Sequence, residues 1–237
     1  SWRVPTPGLV TARDALQRGM ALLDVTAPDD PATLAWWHVD TDALVLGRGS
    51  QITPDRDACA AADVDVVRRA SGGGPVLWGA DLLAFDVIVP RAHPLHSDDV
   101  VDSYRWLGAA IADALQELGV PARSLEPAEA RSGDTTLRDL ACYASLSPWE
   151  VVVDGRKLVG LSQVRRRSGV LLQAGILLRS DPARLAGLLR LDPDTKATLI
   201  GELRTGAVGL TEVTSADPET VVTALTTAIT GSRSRNR

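Results

Sequence analysis

A glycine-rich turn preceded by two arginines is the first segment of this sequence with residues suited to chemistry. Arg68 and Arg69 lie shortly before Ser71-Gly72-Gly73-Gly74. Three glycines remove every β-carbon from the turn, so backbone N–H groups can approach a phosphate or carboxylate closely. The arginines could add positive charge for a phosphate group. A flexible hairpin turn with solvated arginines accounts for the same residues about equally well.

A lysine stands in a second glycine-flanked segment. Lys157 follows the turn dipeptide Asp154-Gly155, between apolar residues and at the start of a predicted strand. It could point into a pocket, neutralise a phosphate or polarise a carbonyl oxygen. A surface hairpin lysine is the commoner case for such a residue in isolation. That alternative does not explain Gly160, because a glycine inside a strand costs stability.

Cys142 is the third candidate, as a nucleophile. Its thiolate could form an acyl thioester and so divide an acyl transfer into two easier steps. Without other context, the commoner interpretation is a small buried hydrophobic residue. No histidine is nearby in the sequence, so a base would have to come from the fold or be Lys157. A run of three arginines also begins at Arg165, in a predicted turn; most charge runs are solvated, and only Arg165 is assigned a site role.

Local patterns predict the elements that must position these residues. Predicted helices cover 12–23, a segment capped by Thr53 and running to 62, 101–118, 181–189 and 217–229. Predicted strands cover 34–39, 43–46, 64–67, 82–89, 149–153, 156–159 and 170–178. The strands cluster in hairpins with helices between the groups, which indicates a mixed sheet. We predict one α/β (α+β) domain over 1–231, a polar loop at 131–138 and a disordered basic tail at 232–237.

Composition restricts the function classes. The 237 residues are 45% hydrophobic and 23% charged, with a net charge of −5. This balance argues against a general nucleic-acid partner, which requires a basic surface. Two cysteines and three histidines are too few for a conventional zinc cluster, so we expect no metal centre. No long apolar run or secretory signal is visible, and we therefore expect a cytoplasmic protein without membrane contact.

Two linked motifs resemble those of a known family. The segment 66–77 is similar to the arginine–glycine signature of the lipoate–protein ligase and octanoyltransferase family, and 150–163 to its lysine signature. The segment 43–51 is similar to a third, weaker element. The motifs occur in the family's order and spacing, so the similarity covers roughly residues 10 to 230. The resemblance implies the biotin/lipoate ligase-like catalytic fold, with a mixed, largely antiparallel sheet flanked by helices.

The resemblance also implies roles for particular residues. Lys157 would be the essential lysine, and Ala141-Cys142-Tyr143 is similar to the Ala-Cys-Phe stretch of cysteine-dependent octanoyltransferases, in which the cysteine carries the acyl group. The implied substrate- or nucleotide-binding residues are Arg69, Ser71, Gly72, Gly73, Gly74, Val76, Gly160, Gln163, Arg165 and Gly175.

The sequence departs from the family at two places. Trp78-Gly79 stands where the family usually has a His followed by an Asp, and Gln173-Ala174-Gly175-Ile176 where it has a His before Gly-Ser. Both changes replace polar hydrogen-bonding groups with apolar or neutral ones. The resemblance therefore does not fix lipoate or octanoate as the substrate.

The predicted reaction attaches a lipoyl or octanoyl group to a lysine of a lipoyl carrier domain, either the glycine cleavage H protein or a 2-oxoacid dehydrogenase E2. A ligase would use ATP and Mg²⁺ to form an acyl-adenylate. A transferase would need no cofactor. It would move an octanoyl group from acyl carrier protein to Cys142 and then to the target lysine. The alternative is a non-catalytic relative that binds an acylated carrier or a small acid. Trp78 and Ala174 favour that alternative, whereas Lys157, Gly160 and Gln163 argue against it.

Overall fold

A computed structural model describes residues 1–130 and 140–232. Its strands are β1 (Trp2–Arg3), β2 (Gly8–Val10), β3 (Ala32–Val39), β4 (Ala43–Leu46), β5 (Asp65–Arg68), β6 (Val76–Trp78), β7 (Leu82–Pro90), β8 (Ala122–Ser124), β9 (Val151–Val153), β10 (Arg156–Arg165) and β11 (Gly169–Leu177). Its helices are α1 (Ala12–Val25), α2 (Arg56–Ala61), α3 (Arg105–Glu117), α4 (Pro127–Ala130), α5 (Pro182–Gly187), α6 (Pro193–Gly206) and α7 (Pro218–Gly231).

The strands form two sheets. The large sheet has the order β1-β3-β7-β11-β10-β9-β8, and β2 also pairs with β3. Within it β1 and β2 run parallel to β3, and the other neighbours are antiparallel. The small sheet has the order β5-β4-β6, in which β4 is parallel to β5 and antiparallel to β6. The predicted mixed, largely antiparallel sheet flanked by helices is confirmed.

The large sheet carries a core on each face. Helices α3 and α7 cover one face, where Leu107, Ile111 and Leu225 are fully buried. Helix α1, the small sheet and α6 cover the other face. Because successive strand residues point to opposite faces, each central strand contributes to both cores. The candidate site lies on the α1 side.

Asp-Pro pairs begin three of the helices. Asp181, Asp192 and Asp217 each accept hydrogen bonds from the first turn of α5, α6 and α7. Such a cap followed by proline is favourable because proline's missing N–H has no partner in a first turn anyway. Local sequence patterns predicted α5 and α7 but not α6. That helix buries only Leu199 and Leu203, so its apolar stripe is weak.

Three local predictions require correction. The cap of α2 is Asp55 rather than Thr53, since Pro54 instead bridges to Leu189. Trp149 has a φ of 67° and precedes β9 instead of starting it. Strand β10 extends beyond 159, to Arg165. The predicted loop 131–138 and residues 233–237 of the predicted tail lie outside the described residues.

No helix within the described ranges combines the length and the apolar character of a membrane-spanning segment.

Candidate active site

A mostly apolar cavity opens between the large sheet, α1 and the small sheet. Its volume is about 510 Å³, including the space at its mouth. Concave, mostly apolar sites of this kind are where proteins usually bind small molecules. The apolar walls include Leu16, Val45, Val76, Trp78 and Leu82. Val76 and one of the two departures from the family, Trp78, therefore face the same space, whereas the Ala174 side chain packs in the core on the opposite face of the sheet.

Small residues form the floor of the cavity. Gly160, Gly175 and Ala84 are direct neighbours across β10, β11 and β7. A β-carbon on Gly160 would stand 3.5 Å from the Cys142 Sγ and 3.4 Å from the Lys157 Cε. The two predicted catalytic residues therefore converge on one point, directly above Gly160.

Cys142 begins a 3-10 turn that is anchored on two sides. Its side chain is half-buried and lines the cavity. Its backbone N–H donates to the carbonyl of Pro75 at 2.8 Å. The Tyr143 hydroxyl donates to the carbonyl of Gly175 at 2.6 Å, and burial raises the Tyr143 pKa well above its ordinary value. The thiol is thereby fixed between the end of the glycine turn and β11.

Lys157 is buried, with 1% of its surface exposed. The surface-lysine alternative is therefore wrong. Its Nζ lies 2.7 Å from Glu150 Oε1 and donates to the carbonyls of Cys142, at 2.7 Å, and Ser145, at 3.1 Å. An ammonium group has three donors, and these three acceptors use all of them. In this arrangement Lys157 holds the backbone of the cysteine turn in place.

Glu150 completes the buried ion pair. It accepts the Ser147 N–H at 2.7 Å and the Leu161 N–H at 3.2 Å. Burial raises the Glu150 pKa above its ordinary value, against the opposing effect of the Lys157 ammonium. Glu150 was not among the site residues predicted from the sequence. A lone acid before an apolar valine run was the signal that could have identified it.

The glycine turn is braced by Arg69. This buried guanidinium donates through Nε and Nη2 to the Gly72 carbonyl, at 3.1 and 2.8 Å, and through Nη2 to the Gly74 carbonyl at 3.2 Å. Gly73 has a φ of 98°, which favours glycine. The hairpin interpretation is wrong, because the flanking strands β5 and β6 both pair with β4 and not with each other. Arg69 lines the cavity, while the three glycines form the adjoining loop.

Arg68 braces a second loop. Its Nη1 donates to the carbonyl of Gly47 at 2.7 Å and to those of Arg48 and Ser50 at 3.3 Å. Both arginines were predicted to supply positive charge for a phosphate group. The structure instead uses Arg68, and two of the three nitrogens of Arg69, to hold backbone carbonyls.

A chain of polar side chains crosses the cavity wall. Ser162 donates to the Ser71 Oγ at 3.1 Å, and Ser71 donates to the Gln173 Oε1 at 2.8 Å. The Gln173 Nε2 then donates to the Asp86 Oδ1 at 3.1 Å. Burial raises the pKa of Asp86 to about 7. Asp86 was missed, although it is the only charged residue in the apolar run of β7.

Gln163 and Arg165 are not brought to the cavity wall. Gln163 alternates with Ser162 along β10 and so points to the opposite face of the sheet. Its Nε2 donates to the Val100 carbonyl at 2.8 Å, and Arg165 donates to the Gln163 Oε1 at 2.9 Å. Arg165 also donates to the Ser97 carbonyl. Both side chains contact the segment that leads into α3.

Within residues 1–130 and 140–232, no cluster of three or more His, Cys, Asp or Glu side chains is arranged to hold a metal ion.

This two-sheet α/β fold is shared with lipoate-protein ligases. The chain belongs to the lipoyl protein ligase A/B catalytic domain family, whose profile matches residues 12–230.

Two relatives with assigned names are octanoyltransferases. The chain is 34% identical over 168 residues to the octanoyltransferase LipM of an Exiguobacterium species, a match that covers 69% of this chain and 60% of the relative. It is 34% identical over 169 residues to the octanoyltransferase LipM of Kyrpidia tusciae, with 69% and 61% covered. The matches thus span about 60% of the length of these relatives.

Solved structures share the fold at lower identity. A bipartite lipoate protein ligase from Thermoplasma acidophilum superposes with a TM-score of 0.78 at 19% identity, covering 96% of this chain and 81% of the other. A lipoate-protein ligase A bound with ATP superposes with a TM-score of 0.75 at 19% identity, with 97% and 84% covered.

Proposed function

We propose that this protein is an acyltransferase of lipoate metabolism, which moves an octanoyl or lipoyl group onto a lysine of a carrier domain through a thioester on Cys142. The observation that carries the proposal is the convergence of the Cys142 Sγ and Lys157 above Gly160, at the wall of an apolar cavity. An apolar cavity suits an acyl chain, and a thiol at its wall suits covalent catalysis.

In the first step the Cys142 thiolate attacks the carbonyl carbon of an acyl thioester on acyl carrier protein. The bond from Sγ to the acyl carbon forms, the carrier's C–S bond breaks, and the carrier thiol takes up the proton that Cys142 released. In the second step the neutral amine of the acceptor lysine attacks the new thioester. The C–N bond forms, the bond from Sγ to the acyl carbon breaks, and the proton that the amine nitrogen loses passes to the departing Cys142 thiolate, which restores the thiol.

The chain's own residues support this route by positioning. Lys157 holds the carbonyls of Cys142 and Ser145, and Pro75 holds the Cys142 N–H. Together these bonds fix the direction in which the thiol faces the acyl carbon, and such orientation contributes strongly to rate.

A ligase route that uses ATP and Mg²⁺ fits the residues less well. Arg68 and Arg69, the charges expected to meet a phosphate, donate to backbone carbonyls. The relatives at 34% identity are octanoyltransferases, whereas the ATP-bound ligase shares the fold at 19% identity. These observations favour transfer from a thioester.

The acceptor we propose is a lipoyl carrier domain, of the glycine cleavage H protein or of an E2 subunit. The ligase from Thermoplasma acidophilum belongs to a lipoylation system with an E2 lipoyl domain. A second candidate is a non-catalytic relative that binds an acylated carrier or a small acid, because the apolar side chain of Trp78 lines the cavity.

The test is the intact mass of the protein after incubation with octanoyl-acyl carrier protein. The wild type should gain one octanoyl group, and Cys142→Ala should gain none. Cys59→Ala is the matched control, because Cys59 is the other cysteine and is buried on α2, away from the cavity. We expect this control to gain the group as the wild type does.

Acylation of the Cys142→Ala variant would contradict the thioester route. If the wild type gains no group, the same protein is supplied with octanoate, ATP and Mg²⁺ and a carrier domain. Product in that assay alone would establish the ligase, and binding without product in either assay would establish the non-catalytic relative.

A further inference from the structure

Ser162 is the open end of the polar chain in the cavity wall. It is only partly buried and lines the cavity, as Cys142 does. Ser71 and Asp86, further along the chain, are 1% and 2% exposed. This gradient places Ser162 towards the mouth of the cavity and Asp86 at the closed end.

The hydrogens of this chain all point away from the mouth. The ionised carboxyl of Asp86 can only accept, and it is faced by the Gln173 Nε2 and the Trp37 indole N–H, which only donate. Because the Gln173 Nε2 is turned towards Asp86, its Oε1 faces Ser71 and accepts the single hydroxyl hydrogen of Ser71. Ser71 can then only accept from Ser162, whose own hydrogen is used in that bond.

Ser162 therefore presents lone pairs, and no hydrogen, to the cavity. Among residues 1–130 and 140–232, no group donates a hydrogen bond to the Ser162 Oγ. A hydroxyl oxygen can accept two hydrogen bonds. A ligand group that carries its own hydrogens suits this position, whereas a carbonyl or carboxylate oxygen does not.

The position of Ser162 relative to Cys142 matches that of an attacking nucleophile. The Cys142 Sγ lies above Gly160, and Ser162 follows two residues later on β10, with its side chain on the same face. A rise of ~3.4 Å per residue separates the two backbone positions by roughly 7 Å. A nucleophile about to attack lies ~3–3.5 Å from the acyl carbon on Sγ, and its N–H···O bond to an acceptor adds ~2.9 Å. These two lengths and the bond from Sγ to the acyl carbon span the gap.

The amine of the acceptor lysine is the nucleophile with the required hydrogens. In the proposed second step the neutral amine carries two, of which one passes to the departing Cys142 thiolate. The other stays on the nitrogen and can be donated to an acceptor. In the first step the attacking group is the Cys142 thiolate itself, which brings no N–H to the acyl carbon.

We propose that the Ser162 Oγ accepts a hydrogen bond from the attacking amine of the acceptor lysine and so positions it for the second step alone. The role rests on the proposed function, because it takes the acyl group to be on Cys142. Ser162 takes up no proton. Asp86, Gln173 and Ser71 keep its lone pairs directed into the cavity.

The test measures the two steps separately at pH 8, by intact mass in single turnovers. The protein is first acylated with octanoyl-acyl carrier protein and then mixed with a saturating lipoyl carrier domain. Ser162→Ala should be acylated at the wild-type rate, which also shows that the variant is folded. Its transfer step should be about tenfold slower, the effect of one lost hydrogen bond.

Two further variants test the role of the hydroxyl itself. Ser162→Thr keeps the hydroxyl and should restore most of the transfer rate. Ser162→Val has nearly the shape of the threonine variant without the hydroxyl, so this pair makes the same comparison if the alanine variant does not fold. Ser168→Ala is the matched control, because Ser168 lies in the turn after β10 and away from the cavity wall, and both steps should keep their rates.

Transfer at the wild-type rate in Ser162→Ala would overturn this role, and so would slowing of acylation as great as that of transfer. Transfer in Ser162→Thr as slow as in the variants without a hydroxyl would overturn it as well. The outcome also separates the two proposals. Unimpaired transfer in Ser162→Ala removes the role of Ser162 alone, whereas a wild type that forms no adduct removes the thioester on Cys142.

Discussion

Lys157 and Glu150 show how a charged residue can be kept inside this protein. Each side chain is 2% exposed, and their charged atoms are 2.7 Å apart. Removing two charges from water is costly, and only mutual attraction and complete hydrogen bonding offset that cost. Backbone N–H groups on Glu150 and backbone carbonyls on Lys157 supply the remaining bonds.

Substitution of the lysine should therefore affect both stability and activity. Lys157→Met leaves Glu150 buried without its partner and should lower the free energy of unfolding by about 3–5 kcal/mol. It should also abolish acylation of Cys142, because the cysteine turn loses two anchors. Urea denaturation and intact mass measure the two effects.

The double variant Lys157→Met/Glu150→Leu serves as the control. It should recover much of the stability, because no unpaired charge remains, yet stay inactive. Full acylation in Lys157→Met would show that the lysine has no part in the reaction.

Asp86 should make the stability depend on pH. Its pKa of about 7 in the folded state lies above the ordinary value of ~3.9 expected when unfolded. Between these values the folded state binds more protons, so this group's contribution to stability is fully present at low pH and is lost as pH rises to 7. Asn does not titrate, so the free energy of unfolding of Asp86→Asn, relative to that of the wild type, should rise by up to about 1.4 kcal/mol per pH unit in that window.

Urea denaturation of both proteins at a series of pH values measures this difference. Above pH 7 the difference should become constant. Parallel stability curves for the two proteins would show that Asp86 titrates normally.

At the scale of elements, two loops must cross closely to build the site. A β-carbon on Gly47 would stand 2.0 Å from the Gly73 carbonyl oxygen. The Arg48 N–H also donates to the Ser71 carbonyl at 2.9 Å. The loop after β4 thus supports the glycine turn, whose far end holds Cys142 through Pro75.

Gly47→Ala should push these loops apart. We expect it to lower the free energy of unfolding by about 1–3 kcal/mol, the usual effect of overpacking, and to slow acylation of Cys142. Gly49→Ala is the matched control in the same loop, since a β-carbon there meets no atom within 4 Å. Equal effects of the two substitutions on thermal unfolding and acylation would show that the close approach has no importance.

At the scale of the whole molecule, the large sheet connects the two hydrophobic cores that lie on its opposite faces. Strands β3 and β7 contribute side chains to the cores on both faces. A loss of packing on one face therefore removes support from the other, and the single domain predicted for 1–231 should unfold as a unit.

Thermal unfolding followed by tryptophan fluorescence and by far-ultraviolet circular dichroism should give one coincident transition. Leu225→Ala, on α7 and distant from the cavity, should lower both midpoints equally by removing a fully buried side chain. Separate transitions would indicate two independently folding parts.

Local signals in the sequence determined much of the framework. The turn dipeptide Asp154-Gly155 has φ values of 50° and 77°, as a two-residue hairpin turn requires. The same kind of local reasoning located β4, α1 and α7 and singled out Cys142, Lys157 and Gly160. It missed α6, since a helix with two buried residues has almost no periodic pattern to detect.

Only the tertiary structure decided what these residues contact. Lys157 could have faced water or a phosphate, and the fold paired it with Glu150. Ser71, Asp86, Ser162 and Gln173 come from four separate segments, and the register of β7, β10 and β11 brings them into one chain of hydrogen bonds. Local patterns specify how each strand alternates, but register and partner depend on packing against distant segments, which no single stretch of sequence encodes.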